Sequence, residues 1–258
     1  MRVGRIQGPD GVSYGHEDDD GVHLLAAPPW ERWARAGQTI PSSEARWLVP
    51  TVPSKIVGIG RNYRDHIEEM GFEVPQRPAM FLKPPSALVG PGEAVTLPPP
   101  TMTSEIQHEA ELAIVIGSEM RAVGPDAALE YVYGYTVAND ISARDLQRED
   151  GAPTRAKSFD TFCPVGPWIE TDVDLAAGLA VRCWIGDELR QDGNTDQLVF
   201  DVPTLLSYLS NIMTLVPGDL VLTGTPGGCS DLQPGDVMRA EIEGIGTLEN
   251  AVSAAPSS

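Results

Sequence analysis

Short apolar runs, each ended by glycine or proline, limit what this chain can fold into. Runs such as KIVGIG, LAIVIG and LVLTG have the length of a β-strand, and the 26 glycines and 23 prolines of the chain follow no period. Predicted strands outnumber predicted helices, and the two do not alternate regularly. The sequence therefore predicts an α+β, β-rich fold built on a mixed β-sheet, and it disfavours a doubly wound sheet.

Few segments have the spacing of a helix. The clearest is VPTLLSYLSNIMTLVPGD, which Pro217 follows and in which these apolar residues recur at helical spacing: Leu205, Leu206, Leu209, Ile212 and Met213. Shorter helices are predicted in PPWERWARAGQ, in DAALEYV and in RNYRDHIEEMG, which Gly71 closes.

The first 50 residues differ from the rest of the chain. They alternate short strand-like runs with turns at GPDG and EDDDG, and they contain no cluster of catalytic residue types. We predict a small N-terminal subdomain over residues 1–50 and a main domain over residues 51–258.

The charge balance limits the class of partner. A formal net charge of −19 opposes binding to nucleic acid or to an anionic membrane surface. Because the chain is so acidic, positive charge for an acidic substrate has to come from lysine, arginine or a metal ion inside the site. Three scattered cysteines, a start without an apolar signal segment and apolar runs too short to cross a bilayer predict a soluble, cytoplasmic protein.

The sharpest chemical signal is the segment His108-Glu109-Ala110-Glu111-Leu112. Residues two apart in a strand project from the same face, so Glu109 and Glu111 are expected to point the same way. The strand continues into the apolar run LAIVIG, and two half-buried carboxylates need a cation or a raised pKa. The alternative is that both glutamates face water on an amphipathic strand.

Asp140 is the third candidate carboxylate. It follows the apolar stretch YTVA at a predicted strand end, where a lone aspartate also commonly serves as a turn or helix cap. Three carboxylates form an all-oxygen ligand set that suits Mg²⁺ or Mn²⁺. Glu109, Glu111 and Asp140 are therefore the predicted metal ligands.

A histidine, a glutamate and a lysine complete the candidate chemistry. His66 and Glu69 are three residues apart in a predicted helix, so the carboxylate can orient the imidazole as a general base. Lys157 is placed to neutralise a developing oxyanion. The alternatives are an exposed charged helix and a surface lysine.

A glycine-rich turn follows the strand LVLT at Gly224-Thr225-Pro226-Gly227-Gly228. Such a turn can present backbone N–H groups and a hydroxyl to a carboxylate. It lacks the Gly-Lys-Ser/Thr ending of a P-loop.

Together these segments resemble the fumarylacetoacetate hydrolase family. The matching pieces are GRNYRDHIEEMG, FLKPPSALVGPGEAV, HEAELAIVIG, YTVANDISARDLQ, RAKSFDTFCPVGPW and GDLVLTGTP, in the family's order from about residue 55 onward. One departure lies after GTP, where Gly-Gly-Cys-Ser-Asp replaces the family's more common Gly-Val-Gly pattern.

The resemblance implies a β-rich sheet roll, a homodimer and one Mg²⁺ or Mn²⁺ per site, in a catalytic domain over residues 51–258. Carried over by motif, the ligands are Glu109, Glu111 and Asp140, and the catalytic residues are His66, Glu69 and Lys157. The residues expected to contact substrate or to order the site are Arg61, Tyr63, Arg144, Gln147, Gly224 and Thr225.

The implied reaction is hydrolysis of a C–C bond in a small 2,4-dioxo acid of the acylpyruvate or fumarylpyruvate type, through a metal-stabilised pyruvate enolate. Two rival reactions use the same residues: isomerisation of a 2-hydroxyhepta-2,4-diene-1,7-dioate and decarboxylation of oxaloacetate. A non-catalytic metal-binding protein of the same fold is a further alternative.

Overall fold

Strands dominate the computed structural model, which describes residues 1–255. The strands are β1 Arg2–Gly8, β2 Gly11–Asp18, β3 Gly21–Leu25, β4 Arg35–Ile40, β5 Arg46–Trp47, β6 Ile56–Gly60, β7 Ala79–Lys83, β8 Leu88–Val89, β9 Val95–Leu97, β10 Ile106–Gln107, β11 Ala110–Ile116, β12 Val132–Asn139, β13 Ser142–Ala143, β14 Cys163–Glu170, β15 Ala180–Ile185, β16 Glu188–Asn194, β17 Leu220–Leu222, β18 Val237–Ile242 and β19 Gly246–Ala254. The α-helices are α1 Arg64–Glu69, α2 Arg144–Asp150 and α3 Val202–Ile212. The 3₁₀ helices are Ser42–Glu44, Pro85–Ala87, Pro125–Tyr131, Leu175–Ala177 and Thr195–Gln197.

Two sheets form the body of the molecule. The larger has twelve strands, with the main order β4-β3-β2-β1-β14-β12-β11-β17-β6-β7. The smaller has five strands, in the order β16-β15-β18-β19-β9, and β10 pairs with β13 separately. Most neighbouring strands are antiparallel, but β6 and β17 run parallel, as do β8 with β14 and β9 with β19. The predicted β-rich, mixed-sheet fold is confirmed.

Strand β11 lies at the centre of the larger sheet and is buried on both faces. Leu112 and Ile114 belong to the main core, which also contains residues of α3 and of the smaller sheet, whereas Ala113 and Val115 belong to a second core on the other face. A strand covered on both sides has no polar face. This explains why the sequence reads as the continuous apolar run LAIVIG.

The N-terminal segment extends the larger sheet. Strand β1 pairs with β14 through Arg2 with Glu170 and Val3 with Ile169. The segment also has a small core of its own, made by Ile6, Val22, Leu24 and Ile40. The boundary at residue 50 stays a prediction.

Of the predicted helices, α3 is confirmed, α1 is short, and DAALEYV is a 3₁₀ helix. Helix α1 begins only at Arg64, and Gly71 follows it with a φ of 65°. The helix predicted in PPWERWARAGQ was wrong, because its second half, from Arg35, pairs with β3 as strand β4. Pairing with an existing sheet edge outweighs a weak local helix preference.

No helix of residues 1–255 is long and apolar enough to cross a membrane.

Helix α3 offers a direct test of this packing. Leu205 is fully buried in the main core, whereas Ile212 on the same helix is 51% exposed. We expect Leu205→Ala to lower the free energy of unfolding by about 2–5 kcal/mol because it leaves a cavity. The control Ile212→Ala should change it by about 0.5 kcal/mol or less. Chemical denaturation measures both, and equal losses would contradict the placement of α3.

Candidate metal centre and active site

Three carboxylates meet where β11 begins and β12 ends. The two strands are antiparallel and place Ala110 opposite Asn139, so Glu109 and Asp140 lie side by side just outside the paired ends. The Asp140 N–H donates to the Glu109 carbonyl oxygen at 2.8 Å. One carboxylate oxygen from each of Glu109, Glu111 and Asp140 lies within 4.8 Å of the others, and all three side chains are buried. The structure thus brings the three predicted ligands together.

Three basic side chains surround this carboxylate cluster. Lys157 Nζ lies 2.8 Å from Glu109 Oε2 and 2.5 Å from Asp140 Oδ2. Lys83 Nζ lies 2.6 Å from Asp140 Oδ1, and Arg144 forms an ion pair with Glu109. Both lysines are buried with the carboxylates. Basic side chains of the protein thus compensate the charge of Glu109 and Asp140.

Glu111 is the exception among the three acids. Among residues 1–255 it has no ion pair, and its Oε2 only accepts a hydrogen bond from the Gly224 N–H at 2.6 Å. Burial, then the charges of Asp140 and Glu109, raise the pKa of Glu111 well above its usual value. Burial also opposes ionisation of Glu109, but Arg144 and Lys157 outweigh it and hold the pKa of Glu109 low.

This arrangement fits a divalent cation. A buried carboxylate that lacks a cation, beside two carboxylates that are paired with basic side chains, is the situation that a doubly charged ion relieves. Three carboxylate oxygens at this spacing match the oxygen ligands that Mg²⁺ and Mn²⁺ prefer. The residues that would hold the ion are Glu109, Glu111 and Asp140.

Lys157 keeps its proton in this surrounding. Burial alone would favour the neutral amine, but the charges of Asp140 and Glu109 dominate and raise the pKa of Lys157. The side chain is therefore a fixed positive charge and a hydrogen-bond donor, not a proton acceptor.

His66 and Glu69 lie on α1 at the side of the site. His66 Nδ1 is 3.5 Å from Glu69 Oε2 and makes no hydrogen bond, although it is buried. The Gly228 N–H donates to Glu69 Oε2 at 3.1 Å, which fixes the carboxylate. The structure therefore places the two side chains next to each other without a hydrogen bond between them, and their role as a catalytic pair stays a prediction.

The glycine-rich turn after β17 binds the protein's own carboxylates. Besides the Gly224–Glu111 bond, the Gly227 N–H donates to Asp65 Oδ2 at 3.1 Å. Gly224 has a φ of 100°, and a side chain there would meet the Asn62 Cβ at 2.9 Å. The N–H groups that the sequence assigned to a substrate carboxylate are thus used inside the protein, where they connect the ligand cluster to α1.

A cavity of about 570 Å³ opens over these groups. The predicted site residues that line it are Arg61, His66, Glu109, Glu111, Arg144, Gln147, Lys157 and Thr225. Its apolar walls include Ile59, Met70, Phe72, Met80 and Phe81.

The other predicted site residues do not line the cavity: Tyr63, Glu69, Asp140 and Gly224. Tyr63 is fully buried, its backbone forms a bridge with Leu198, and its hydroxyl has no hydrogen-bond partner within the described chain. Burial raises the pKa of this phenol. The position of Tyr63 gives no support to the predicted substrate contact.

Sequence reasoning missed Lys83, which contacts Asp140. A signal existed, because a lysine that ends an apolar strand (MFLK) without any acidic neighbour in the sequence is unusual. Its partner Asp140 is 57 residues away in the chain, so the ion pair itself could not be predicted from the sequence.

Gln191 was also missed, and no local signal could have revealed it. It comes from β16 of the smaller sheet and is fully buried. Its amide accepts from the Ala110 N–H at 3.0 Å and donates to Thr225 Oγ1 and the Pro226 carbonyl at 2.8 Å each. It thereby fixes the turn after β17 against the start of β11.

Comparison with known proteins identifies the family. A family model described as "Fumarylacetoacetate (FAA) hydrolase C-terminal" matches residues 55–253, and one described as "Rv2993c-like, N-terminal" matches residues 1–50. The chain belongs to the fumarylacetoacetate hydrolase family, as the motifs predicted.

Individual relatives cover almost the whole chain or most of it. Protein Rv2993c of Mycobacterium tuberculosis is 42% identical over 261 residues, 98% of each chain. The mitochondrial oxaloacetate decarboxylase of Dictyostelium discoideum is 42% identical over 198 residues, 75% of this chain and 90% of that protein.

Two solved structures are informative for the chemistry. The crystal structure of 5-carboxymethyl-2-hydroxymuconate delta-isomerase from Mycobacterium smegmatis has a TM-score of 0.92 at 40% identity, over 99% of this chain and 100% of that chain. The maleylpyruvate hydrolase from Sphingobium sp. SYK-6, in complex with manganese (II) ion and pyruvate, has a TM-score of 0.80 at 32% identity, also over 99% and 100%. Named members of the family are thus hydrolases, isomerases and decarboxylases, and one of them binds a divalent metal.

The carboxylate cluster predicts a metal-dependent gain in stability. Mg²⁺ at a hundred times its dissociation constant should stabilise the folded protein by about 2.7 kcal/mol. Glu111→Gln should abolish this gain but leave the metal-free protein at least as stable, because the buried acid already favours its neutral form. The exposed Glu130 provides the control Glu130→Gln, which should keep the full gain. Thermal unfolding with and without MgCl₂ measures this, and a gain retained in Glu111→Gln would contradict the assignment.

Proposed function

We propose that this protein is a Mg²⁺- or Mn²⁺-dependent hydrolase that cleaves a C–C bond in small 2,4-dioxo acids of the acylpyruvate or fumarylpyruvate type. The observation that carries the proposal is that His66, the protonated Lys157 and two acids of the buried carboxylate cluster, Glu109 and Glu111, line one cavity. The manganese and pyruvate held by the similar maleylpyruvate hydrolase support both the metal and the 2-oxo acid.

Glu109, Glu111 and Asp140 would hold the ion. When bound, it supplies a Lewis acid for the carboxylate and 2-oxo oxygens of the substrate. The protein's own side chains would supply the general base and the groups that bind and orient the substrate.

His66 acts as the general base. Its Nδ1 faces the Glu69 carboxylate, 3.5 Å from Oε2, so that Glu69 can orient the ring and the other nitrogen, Nε2, can remove a proton from water. The hydroxide so formed adds to the C4 carbonyl of the substrate, and the C3–C4 bond then breaks with its electrons moving to C3. One product is a carboxylic acid, and the other becomes pyruvate after C3 takes up a proton.

Lys157 and Arg144 bind and orient the negative groups. Because Lys157 remains protonated, it can stabilise the oxygen on which charge develops as the bond breaks. Arg144 is positioned by hydrogen bonds to Gln107 Oε1 at 2.9 Å and Gln147 Oε1 at 3.0 Å. Arg144 and Gln147 both line the cavity, where they can contact the substrate.

The same residues support two other reactions, and named relatives favour each. Isomerisation of a 2-hydroxyhepta-2,4-diene-1,7-dioate needs only proton relocation, and a solved structure at 41% identity is described as this isomerase. Oxaloacetate decarboxylation needs only CO₂ as leaving group, and a relative at 42% identity has this name. Each of them uses a 2-oxo or 2-hydroxy acid bound at the same cluster.

A substrate panel distinguishes these reactions. We expect purified protein with Mg²⁺ or Mn²⁺ to release pyruvate from acetylpyruvate or fumarylpyruvate, and to do so faster than it decarboxylates oxaloacetate. NMR identification of the products decides the reaction. Decarboxylation or isomerisation without any hydrolysis would replace the proposed reaction, and no turnover of any of these substrates would favour a metal-binding protein without catalysis.

A pair of variants separates metal binding from catalysis. His66→Asn should lower kcat by about 10²–10⁴-fold, the usual worth of a general base, and should keep the Mg²⁺-dependent rise in melting temperature. Glu109→Gln should lose both turnover and this rise. Arg64→Gln, an exposed change on the same helix as His66, is the control and should keep both. Full turnover by Glu109→Gln in EDTA would contradict the mechanism.

A further inference from the structure

The positively charged side chains that line the cavity are almost all paired. Arg144 and Lys157 are bound to Glu109, and Arg148 Nη2 lies 2.5 Å from Glu105 Oε2. Within residues 1–255, none of these three is an unpaired cation.

Arg61 is the remaining cation of the cavity wall. Within residues 1–255 it has no acidic partner, and its guanidinium lies over the Phe72 ring, 4.1 Å from the ring centre. Stacking on an aromatic ring holds the guanidinium plane and leaves its N–H edge free for an anion. An arginine held in this way is preorganised to bind a carboxylate through two parallel hydrogen bonds.

The backbone at Arg61 is strained and firmly fixed. Its φ of 56° lies in the left-handed region, where glycine is favoured and a long side chain is uncommon. The next residue, Asn62, anchors the turn: its amide donates to the carbonyls of Phe200 and Thr223 and accepts from the Phe200 N–H. Strain of this kind persists where the surroundings impose it, and it often accompanies function. An arginine at this position, where glycine would fit without strain, therefore requires an explanation.

We infer that Arg61 binds a second carboxylate at the far end of the substrate, so that the site selects 2-oxo dicarboxylates over 2-oxo monocarboxylates of the same length. This inference rests on the proposed function, because the first carboxylate and the 2-oxo group are taken to bind at the Glu109, Glu111 and Asp140 cluster.

The lining between the two charged ends fits the middle of such a molecule. Strand β7 runs from Ala79, which pairs with Gly60 beside Arg61, to Lys83, which contacts Asp140, and its Met80 and Phe81 line the cavity between these ends. Phe72 and Met70 are apolar and line the same cavity. An apolar wall with a cation at one end and a metal-ligating cluster at the other suits a short carbon chain with an acid at each end. An acylpyruvate with an alkyl end would leave Arg61 without a partner.

Binding of unreactive ligand pairs tests the inference. The pairs are 2-oxoglutarate with 2-oxopentanoate, 2-oxoadipate with 2-oxohexanoate, and 2-oxopimelate with 2-oxoheptanoate. In each pair the two acids have the same number of carbons, and a carboxylate replaces the terminal methyl group. Calorimetry in MgCl₂ should show at least one dicarboxylate binding tenfold or more tightly than its partner. Arg61→Gln should remove most of this ratio and change the affinity for pyruvate by less than twofold. Arg64→Gln, the adjacent exposed arginine, should keep the ratio.

A second variant separates recognition from folding. Arg61→Gly relieves the positive φ, so its melting temperature should equal or exceed that of the unchanged protein, while the preference for dicarboxylates is lost. A lower melting temperature together with weaker pyruvate binding would make Arg61 a structural residue and overturn the inference.

The outcomes also distinguish this inference from the proposed function. Pyruvate binding and turnover with no preference for dicarboxylates, or a preference that survives in Arg61→Gln, would overturn the role of Arg61 alone. If no 2-oxo acid binds in the presence of Mg²⁺, both the inference and the proposed function are overturned.

Discussion

The burial of three carboxylates at one point is the constraint on which the rest of the structure depends. Acids that are withdrawn from water and placed within 4.8 Å of each other repel strongly unless positive charge compensates them. Lys83, Lys157 and Arg144 compensate two of the three, and Glu111 remains the acid whose ionisation requires a further cation. The site is therefore a cluster of buried charges that a divalent ion would neutralise.

The fold supports this assembly from both of its sheets. Strands β11 and β12 place the acids, β7 ends in Lys83, and the turn after β17 ties Glu111 to α1 through its backbone N–H groups. Gln191 comes from the smaller sheet and fixes that turn. Because contributions come from segments far apart in sequence, loss of the packing between the sheets would disturb the ligands, the base and the cavity together.

Several residues of the candidate site could be predicted from the sequence because they lie close together in short segments. The two-residue spacing of Glu109 and Glu111 and the strand that ends at Asp140 pointed to the three acids that the structure brings together. The three-residue spacing on α1 pointed to the neighbours His66 and Glu69. The contacts of Lys83 with Asp140 and of Gln191 with Ala110 could not be predicted from the sequence, since they join segments far apart in the chain. The helix expected in PPWERWARAGQ failed for the same reason, because a sheet edge formed by distant residues decided its conformation. Motif resemblance supplied Arg144 and Lys157 where spacing alone would not.

Anomalous diffraction from crystals soaked in MnCl₂ tests the central claim most directly. The account predicts one strong manganese peak at about 2 Å from an oxygen of each of Glu109, Glu111 and Asp140, the distance typical of such oxygen ligands. A cluster without a peak at saturating Mn²⁺, or manganese bound only elsewhere on the protein, would contradict it.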